Sequence, residues 1–366
     1  MIARIRALAR RDAAALGQWG EALGMACSLL PDPLSAMRAI RHTNANLALR
    51  VLGDVDQISA ADALAFIDGI EDGWDGDTLL RAVGDRPGAA EALWAWVTPA
   101  ADLDRLAWLH YALTAIEGEV DRARFFGACD RWPAADAPAS EWVRVPAGHF
   151  QMGTPAAERA TLPEIWQDSV RENEATHWVT LTTDFLLARC PVTISEYQRF
   201  DPNHRRTGGP SHPVRAVSWW RARLYAAWAG CVLPTEAQWE RACRAGTRTK
   251  YWSGETEADL RRIGWYEGNS GGQTHPVGKK PANPYGLHDM HGNVWEWCGD
   301  WFAPYPGGPS TDPTGAPTGA HRVLRGGSYW NLADYCRSAN RNWTVPGNRD
   351  GIIGFRLARP APALDL

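Results

Sequence analysis

No hydrophobic run in this sequence approaches the roughly 18 residues that a membrane span requires, so no membrane span is expected. A block of basic residues is missing too. With a net charge of −4 the chain carries no electrostatic footprint for nucleic acid. The N-terminus, Met1 to Arg11, has four arginines but neither a continuous apolar core nor a cleavage site, and it reads as the start of a helix, not a secretion signal. Cysteine is sparse. The seven, at 27, 129, 190, 231, 243, 298 and 336, are odd in number, and no pair has the close spacing of zinc ligands. Reduced, mostly buried thiols in a cytoplasmic protein are the expectation. There is no clean internal period, which argues against a solenoid.

At 366 residues, 45% hydrophobic and 22% charged, the chain has the make-up of a soluble globular protein of two domains. Tryptophan is the outlier: 20 in all, 14 of them after Glu141. The region 1–138 reads as an all-α helical domain. Apolar residues keep a helical rhythm over Ile2 to Leu30 until Pro31-Asp32-Pro33, then over Ala36 to Leu52, and further runs cover Thr78 to Val83, Ala89 to Val97, Leu103 to Ile116 and Glu119 to Cys129. This region holds 13 basic and 20 acidic residues, which fits a solvated helical surface. His110 and Glu117 lack a third metal-binding partner there and read as structural. Pro133 to Ser140, small residues with two prolines, reads as a linker.

From 139 to 366 the composition shifts to glycine, proline and tryptophan, and helices become short. Trp142 to Gly153 reads as two short strands around a Pro-Ala-Gly turn, and His177 to Thr182 and Phe185 to Arg189 as further strands. Thr193 with Glu196, and Thr235 with Gln238, form capping boxes at two helix starts, and Ser218 caps a third. His275, His288 and His291 have no cysteine nearby and read as structural. The tryptophans at 219, 220, 228, 239, 295, 297 and 301 read as core, large rigid side chains filling an irregular interior.

The segment Arg322 to Arg359 is organised differently. Gly326-Gly327-Ser328 permits a tight turn or a close approach, and Ile353 to Ala358 alternates like a buried strand. Between them lies a stretch that neither alternates like a strand nor is as polar as a loop.

In order along the chain, VPAGHFQMG (145–153), PVTISEYQRF (191–200), HPVRAVSWWRARLYAAWAG (212–230), LPTEAQWERACRAG (233–246), NPYGLHDMHGNVWEWCGDW (283–301), RVLRGGSYW (322–330) and GFRLA (354–358) resemble the formylglycine-generating enzyme, or sulfatase-modifying factor, domain family. The resemblance covers about residues 141 to 360. It implies an α+β, C-type-lectin-like domain over 139–366 with short strands, few helices and much irregular backbone. The family's copper-dependent oxidation of a substrate cysteine to formylglycine rests on two cysteines five apart after the GGS. Here Cys336 holds the second place and Asn331 the first. One thiolate beside an amide is a poor cuprous site. The expectation is therefore no copper and no enzyme.

A second resemblance is to variable proteins of diversity-generating retroelements, which use the same scaffold. Their framework reads much like Arg325 to Ser328, Cys336 to Asn342, Pro346 to Arg349 and Ile353 to Ala358. It implies a variable segment, 322–359, whose variable places are Asn331, Leu332, Asp334, Tyr335, Thr344, Val345, Asp350, Gly351 and Ile352. Each of the nine is encodable by an NNC codon, the set that an AAC template yields when its adenines change. Trp330 and Trp343 fall outside that set, as scaffold or as descendants of another codon, and join the expected ligand-binding residues as aromatic anchors. Asp289, Gly292, Val294 and Glu296 sit where the family binds a structural calcium ion, and hard oxygen ligands suit Ca²⁺. The resulting expectation is a protein that displays a diversified surface to a protein or other macromolecular ligand, its helical domain joining it to an effector or signalling partner. The alternatives are a formylglycine-generating or related metal-dependent oxidase, and a non-diversified scaffold or regulatory member of the same fold.

Overall fold

A computed structural model describes residues 20–362, apart from 43, 56, 69, 71–74, 131, 133–140 and 206. The helix expected at residues 1–11 and the linker Pro133 to Ser140 lie outside the described residues. The chain divides into two compact units, Met1–Pro133 and Ala134–Leu366.

The first unit is helical: α1 (Gly20–Ser28), α2 (Pro33–Arg41), α3 (Ala45–Leu52), α4 (Ala60–Asp68), α5 (Gly76–Val83), α6 (Ala89–Trp94), α7 (Leu103–Glu117) and α8 (Arg122–Cys129). Short polar side chains start them. Asp32, Asn44, Asp75, Asp102 and Asp121 each accept a hydrogen bond from the backbone N–H three residues on, satisfying a donor the helix cannot. The run expected over 36–52 is two helices, because Asn44 caps a new one. Arg86 gathers the carbonyls of Leu52, Val55 and Ile58, at 2.7, 2.8 and 2.7 Å, and so satisfies the acceptors left at the end of α3 and the turn after it.

The second unit is built from short pieces. In order they are β1 (Trp142–Val145), β2 (Gly148–Met152), α9 (Ala156–Arg159), α10 (Glu164–Asn173), β3 (His177–Leu181), β4 (Phe185–Ala188), α11 (Ile194–Phe200), α12 (Trp219–Trp228), α13 (Glu236–Arg244), α14 (Glu257–Ile263), α15 (Glu267–Ser270), β5 (Trp295–Trp301), β6 (Ser310–Thr311), β7 (Arg322–Arg325), a 3₁₀ turn (Ala333–Cys336), β8 (Arg341–Thr344), β9 (Ile353–Gly354) and β10 (Ala358–Pro360). They form three sheets, ordered β1-β4-β10, β2-β3-β6 and β8-β7-β5-β9. The mixture is the expected α+β, with much irregular backbone.

β1 and β2 are the two short strands expected around the Pro-Ala-Gly turn, and they join different sheets. One expectation needs correction. Ile353 to Ala358 is not one strand. β9, which pairs with β5, ends at Gly354, and β10 begins at Ala358 in another sheet beside β4; between them Arg356 turns inward to Glu296. The seven tryptophans expected in the core are all buried. Several spend their indole N–H on groups an irregular interior leaves unpaired: Trp219 donates to the Cys298 carbonyl and Trp297 to that of Val217, both at 2.8 Å.

Candidate functional site

The segment 322–359 enters along β7, which pairs antiparallel with β8 from Arg322↔Thr344 to Arg325↔Arg341. Between these strands the chain makes a loop with little backbone ladder of its own, so its shape must come from side chains. Four buried arginines supply it. Arg325 reaches Glu240, and its guanidinium also donates to the carbonyls of Ser338, Ala339 and Asn340. Arg337 meets Glu158 at 2.9 Å and Glu174 at 3.1 Å. Arg341 lays two N–H groups on the two oxygens of Glu236, at 2.6 and 2.8 Å. Arg356 does the same to Glu296, at 2.6 Å each. A planar guanidinium suits this bidentate geometry, and a carboxylate opposite each one compensates the cost of burying its charge.

Three further contacts hold the loop. Asn340 donates to Glu174 at 3.0 Å. The His291 ring lies 2.7 Å from the Cys336 carbonyl through Nδ1, and its Nε2 accepts from the Trp252 N–H. The proton therefore sits on Nδ1, and burial holds the imidazole down at about 4, so it stays neutral. Gly327, at φ 73°, lets the chain pass Cys336: a Cβ there would lie 2.6 Å from the Cys336 Sγ. Of the expected framework, Cys336, Asn340 and Arg341 are buried, whereas Arg349 is exposed. The expected framework contained Arg325, Arg337 and Arg356 but not their partners, and His291, read as structural, holds the Cys336 carbonyl. Glu236 and Glu240 stand one helical turn apart, but nothing local in the sequence shows that both are buried and so need cationic partners.

None of the eleven expected ligand-binding residues is fully buried. Trp330, Leu332, Val345 and Trp343 are 64%, 57%, 50% and 38% exposed, and Asp350 is exposed as well. Asn331, Asp334, Tyr335, Thr344, Gly351 and Ile352 are half-buried. Their backbone is tied down even where their side chains are not: the Asn331 carbonyl accepts from Glu267 N–H and that of Ile352 from Trp295 N–H, both at 2.9 Å. Arg215 donates to both the Tyr329 hydroxyl and the Gly351 carbonyl, linking the start of the segment to its end. Tyr335 packs on Trp166, Trp343 stacks on Phe302 at 4.1 Å between centroids, and Asp334 pairs with Lys250 at 3.1 Å.

The expected calcium set is drawn into the same framework. Glu296 has both oxygens on Arg356 and also accepts from the Trp239 indole at 2.8 Å. Asp289, at φ 56°, accepts from Gly278 N–H at 2.7 Å and from the Asn293 amide at 3.3 Å. Gly292 and Val294 are buried beside them. A calcium ion wants six to eight oxygen ligands. Glu296 keeps about one lone pair free, but its charge is already met by Arg356, so of this set only Asp289 would face an ion with uncompensated charge, a poor fit for Ca²⁺ as it stands. Among the described residues no three His, Cys, Asp or Glu side chains group as a metal site. Cys336, the place of the family's second cysteine, is fully buried, and burial pushes its thiol far above the usual range. Asn331 accepts from the Ser328 hydroxyl at 2.5 Å.

Residues 130–361 match the Sulfatase-modifying factor enzyme 1-like domain. The formylglycine-generating enzyme of Streptomyces coelicolor is 45% identical over 172 residues, covering 42% of this chain and 55% of that protein. Hercynine oxygenase of Mycolicibacterium thermoresistibile is 36% identical over 193 residues, covering 46% of this chain and 42% of that one. The chain thus spans about half the length of these curated relatives. Among solved structures, Treponema denticola variable protein 1 superposes with a TM-score of 0.54 at 29% identity, over 60% of this chain and 95% of that one. The fold is accordingly that of the C-type-lectin-like, formylglycine-generating-enzyme type. The expectation that the chain is no enzyme is corrected by these relatives, two of which are named as enzymes. Losing the first cysteine to Asn331 does not take a chain out of an enzyme family. The motifs, the sheets and the matched residues agree: the chain belongs to the sulfatase-modifying factor enzyme 1-like family.

Proposed function

We propose that the segment between Gly326 and Ile353 is a diversified ligand-binding surface, of the kind used by retroelement variable proteins. One contrast carries the reading. Large apolar side chains at 330, 332, 343 and 345 are exposed, while Cys336 to Arg341 between them and Ile353 to Ala358 after them are buried and held by charge. Exposed aromatic anchors on a rigid backbone gain contact area at little entropic cost. Side chains spread in this way suit a protein or other macromolecular ligand better than a small molecule. The likeness to a variable protein of the same fold supports it. The acidic helical unit would be the constant part, open to an effector partner. To test this, the nine expected variable positions are randomised in a displayed library, which is selected against a folded protein such as lysozyme. Specific binders from a library whose members stay folded are the expected result; a library that fails to fold refutes the reading.

A second reading is an oxidase of the family. The 45% identity to a formylglycine-generating enzyme favours it, with Cys336 in the segment after the Gly326-Gly327-Ser328 turn. Incubation with copper, oxygen and a sulfatase-type cysteine peptide, read by mass spectrometry for an aldehyde product lost on Cys336→Ser, tests that reading directly.

A further inference from the structure

Apart from the exposed positions just described, a cavity of about 530 Å³ opens between β5, the start of α13 and the loop 303–316, with Arg341 in its lining. Met152, Trp301, Pro304 and Pro306 give it apolar and aromatic walls. Three carboxyl groups line it, and they are not equivalent. Asp312 is exposed and accepts from the Thr182 N–H and hydroxyl, at 2.9 and 2.5 Å. Glu236 is neutralised by the two N–H groups of Arg341 and also accepts from the Tyr305 hydroxyl at 3.1 Å. Asp300, only 4% exposed, accepts one hydrogen bond, from the Glu236 N–H at 2.8 Å, and no cationic side chain bonds it. Ser310 lines the same cavity, and its hydroxyl is buried with no hydrogen-bond partner. A buried carboxylate and a buried hydroxyl, both short of partners and both lining one cavity, are costly unless something completes them.

We propose that this cavity binds a small organic cation, a primary ammonium on an apolar or aromatic body, with the Asp300 carboxylate as its counter-ion and the Ser310 hydroxyl as a second acceptor. The charges around it agree. Arg341 is spent on Glu236. Arg322 is sandwiched between the Trp219 and Trp301 rings, 3.6 and 3.2 Å from their centroids, and donates to the Gly299 carbonyl. His177 rests on Tyr305, and Asp312 stands exposed to solvent with its oxygens on Thr182. Asp300 is therefore the buried negative charge of the lining that no cationic side chain meets. Burial and the neighbouring Glu236 push the Asp300 carboxyl up to about 7. Binding of a cation draws on the ionised form, so affinity should hold above that pH and fall roughly tenfold for each unit below it.

Isothermal titration of the full chain with benzylammonium, and with benzyl alcohol as its neutral counterpart, tests this. Saturable benzylammonium binding at pH 8, at least about tenfold weaker at pH 6 and for Asp300→Asn, is expected. Asp300→Asn keeps an acceptor for the Glu236 N–H, and an unchanged circular dichroism spectrum separates lost binding from lost folding. No heat from benzylammonium with the native protein overturns the proposal. So does equal affinity for benzyl alcohol, or for the Asp300→Asn variant. None of these results bears on the diversified surface, whose exposed residues lie outside this cavity.

Discussion

Arg341 and Glu236 face each other as fork and carboxylate, at 2.6 and 2.8 Å, both almost wholly buried and 105 residues apart in the chain. The pair ties β8 to the first turn of α13. Removing one partner leaves the other charge buried without compensation, which typically costs about 3–5 kcal/mol. Arg341→Met and Glu236→Gln should each lower the unfolding free energy by an amount in that range, seen as a lower denaturant midpoint. A double variant should cost clearly less than the sum of the two, measured as a double-mutant cycle by chemical denaturation.

The exposed positions should behave in the opposite way. Leu332→Ser, Val345→Ser and Trp330→Ser should each shift stability by only about 0.5 kcal/mol in either direction. Trp343→Ser should cost more, about 0.5–1.5 kcal/mol, because it forfeits the stack on Phe302. Thermal melts of the four variants check this, and a loss comparable to that of Arg341→Met at any of the first three would show that the residue is framework.

Gly327→Ala joins two penalties. At φ 73° the alanine is in left-handed backbone, worth about 1–2 kcal/mol, and its methyl would lie 2.6 Å from the Cys336 Sγ, where overpacking adds about 1–3 kcal/mol. The double variant Gly327→Ala, Cys336→Ala should recover part of the second penalty and none of the first.

Much of this was legible beforehand, and the reasons for the misses are physical. Capping boxes are local, so Thr193 with Glu196 and Thr235 with Gln238 could be read directly, and both are formed. The third box, Thr256 with Asp259, was overlooked because aspartate replaces the longer acid at that place. α9 and α10 were missed as well. Only Glu158 and Val170 of their described residues are buried, so neither shows an apolar stripe. The arginine framework was half seen. Arg341 stood out as a polar residue in an irregular loop, but the partners of Arg325, Arg337 and Arg356 are 85, 163 to 179 and 60 residues away, and no periodicity reports such pairs.

Calcium gives a direct check on the Glu296 geometry. A ligand that binds only the folded state raises its melting temperature. Because Glu296 is committed to Arg356 and Trp239, the melting curves with chelator and with millimolar Ca²⁺ should coincide within about 1 °C. A rise with Ca²⁺ that disappears in Asp289→Ala would restore the ion to this loop.

Asp300 makes stability depend on pH in a direction opposite to an ordinary carboxylate. Its folded value, about 7, lies above the unfolded one near 3.9, so the folded state holds the proton more tightly. The slope of stability with pH is then negative across that window: the contribution is complete below pH 4 and is lost as pH rises through 7, about 4 kcal/mol in all as an upper figure. Asp300→Asn cannot ionise. It should be more stable than the native protein at pH 8 and lose most of that advantage by pH 5, as read from denaturation midpoints at the two pH values.

The pairing of β7 with β8 carries one more implication. From Arg325 to Arg341 the chain must leave one strand, place Arg337 against Glu158 and Glu174, set the Cys336 carbonyl on His291, and return in register. Each appointment fixes a count of residues as firmly as it fixes a position. Such a loop can be respelled letter by letter but not lengthened or shortened, since one extra residue would put every later anchor out of reach of its partner. Whatever repertoire this surface holds is therefore written in an alphabet of fixed word length, and insertions, the usual currency of loop evolution, are closed to it.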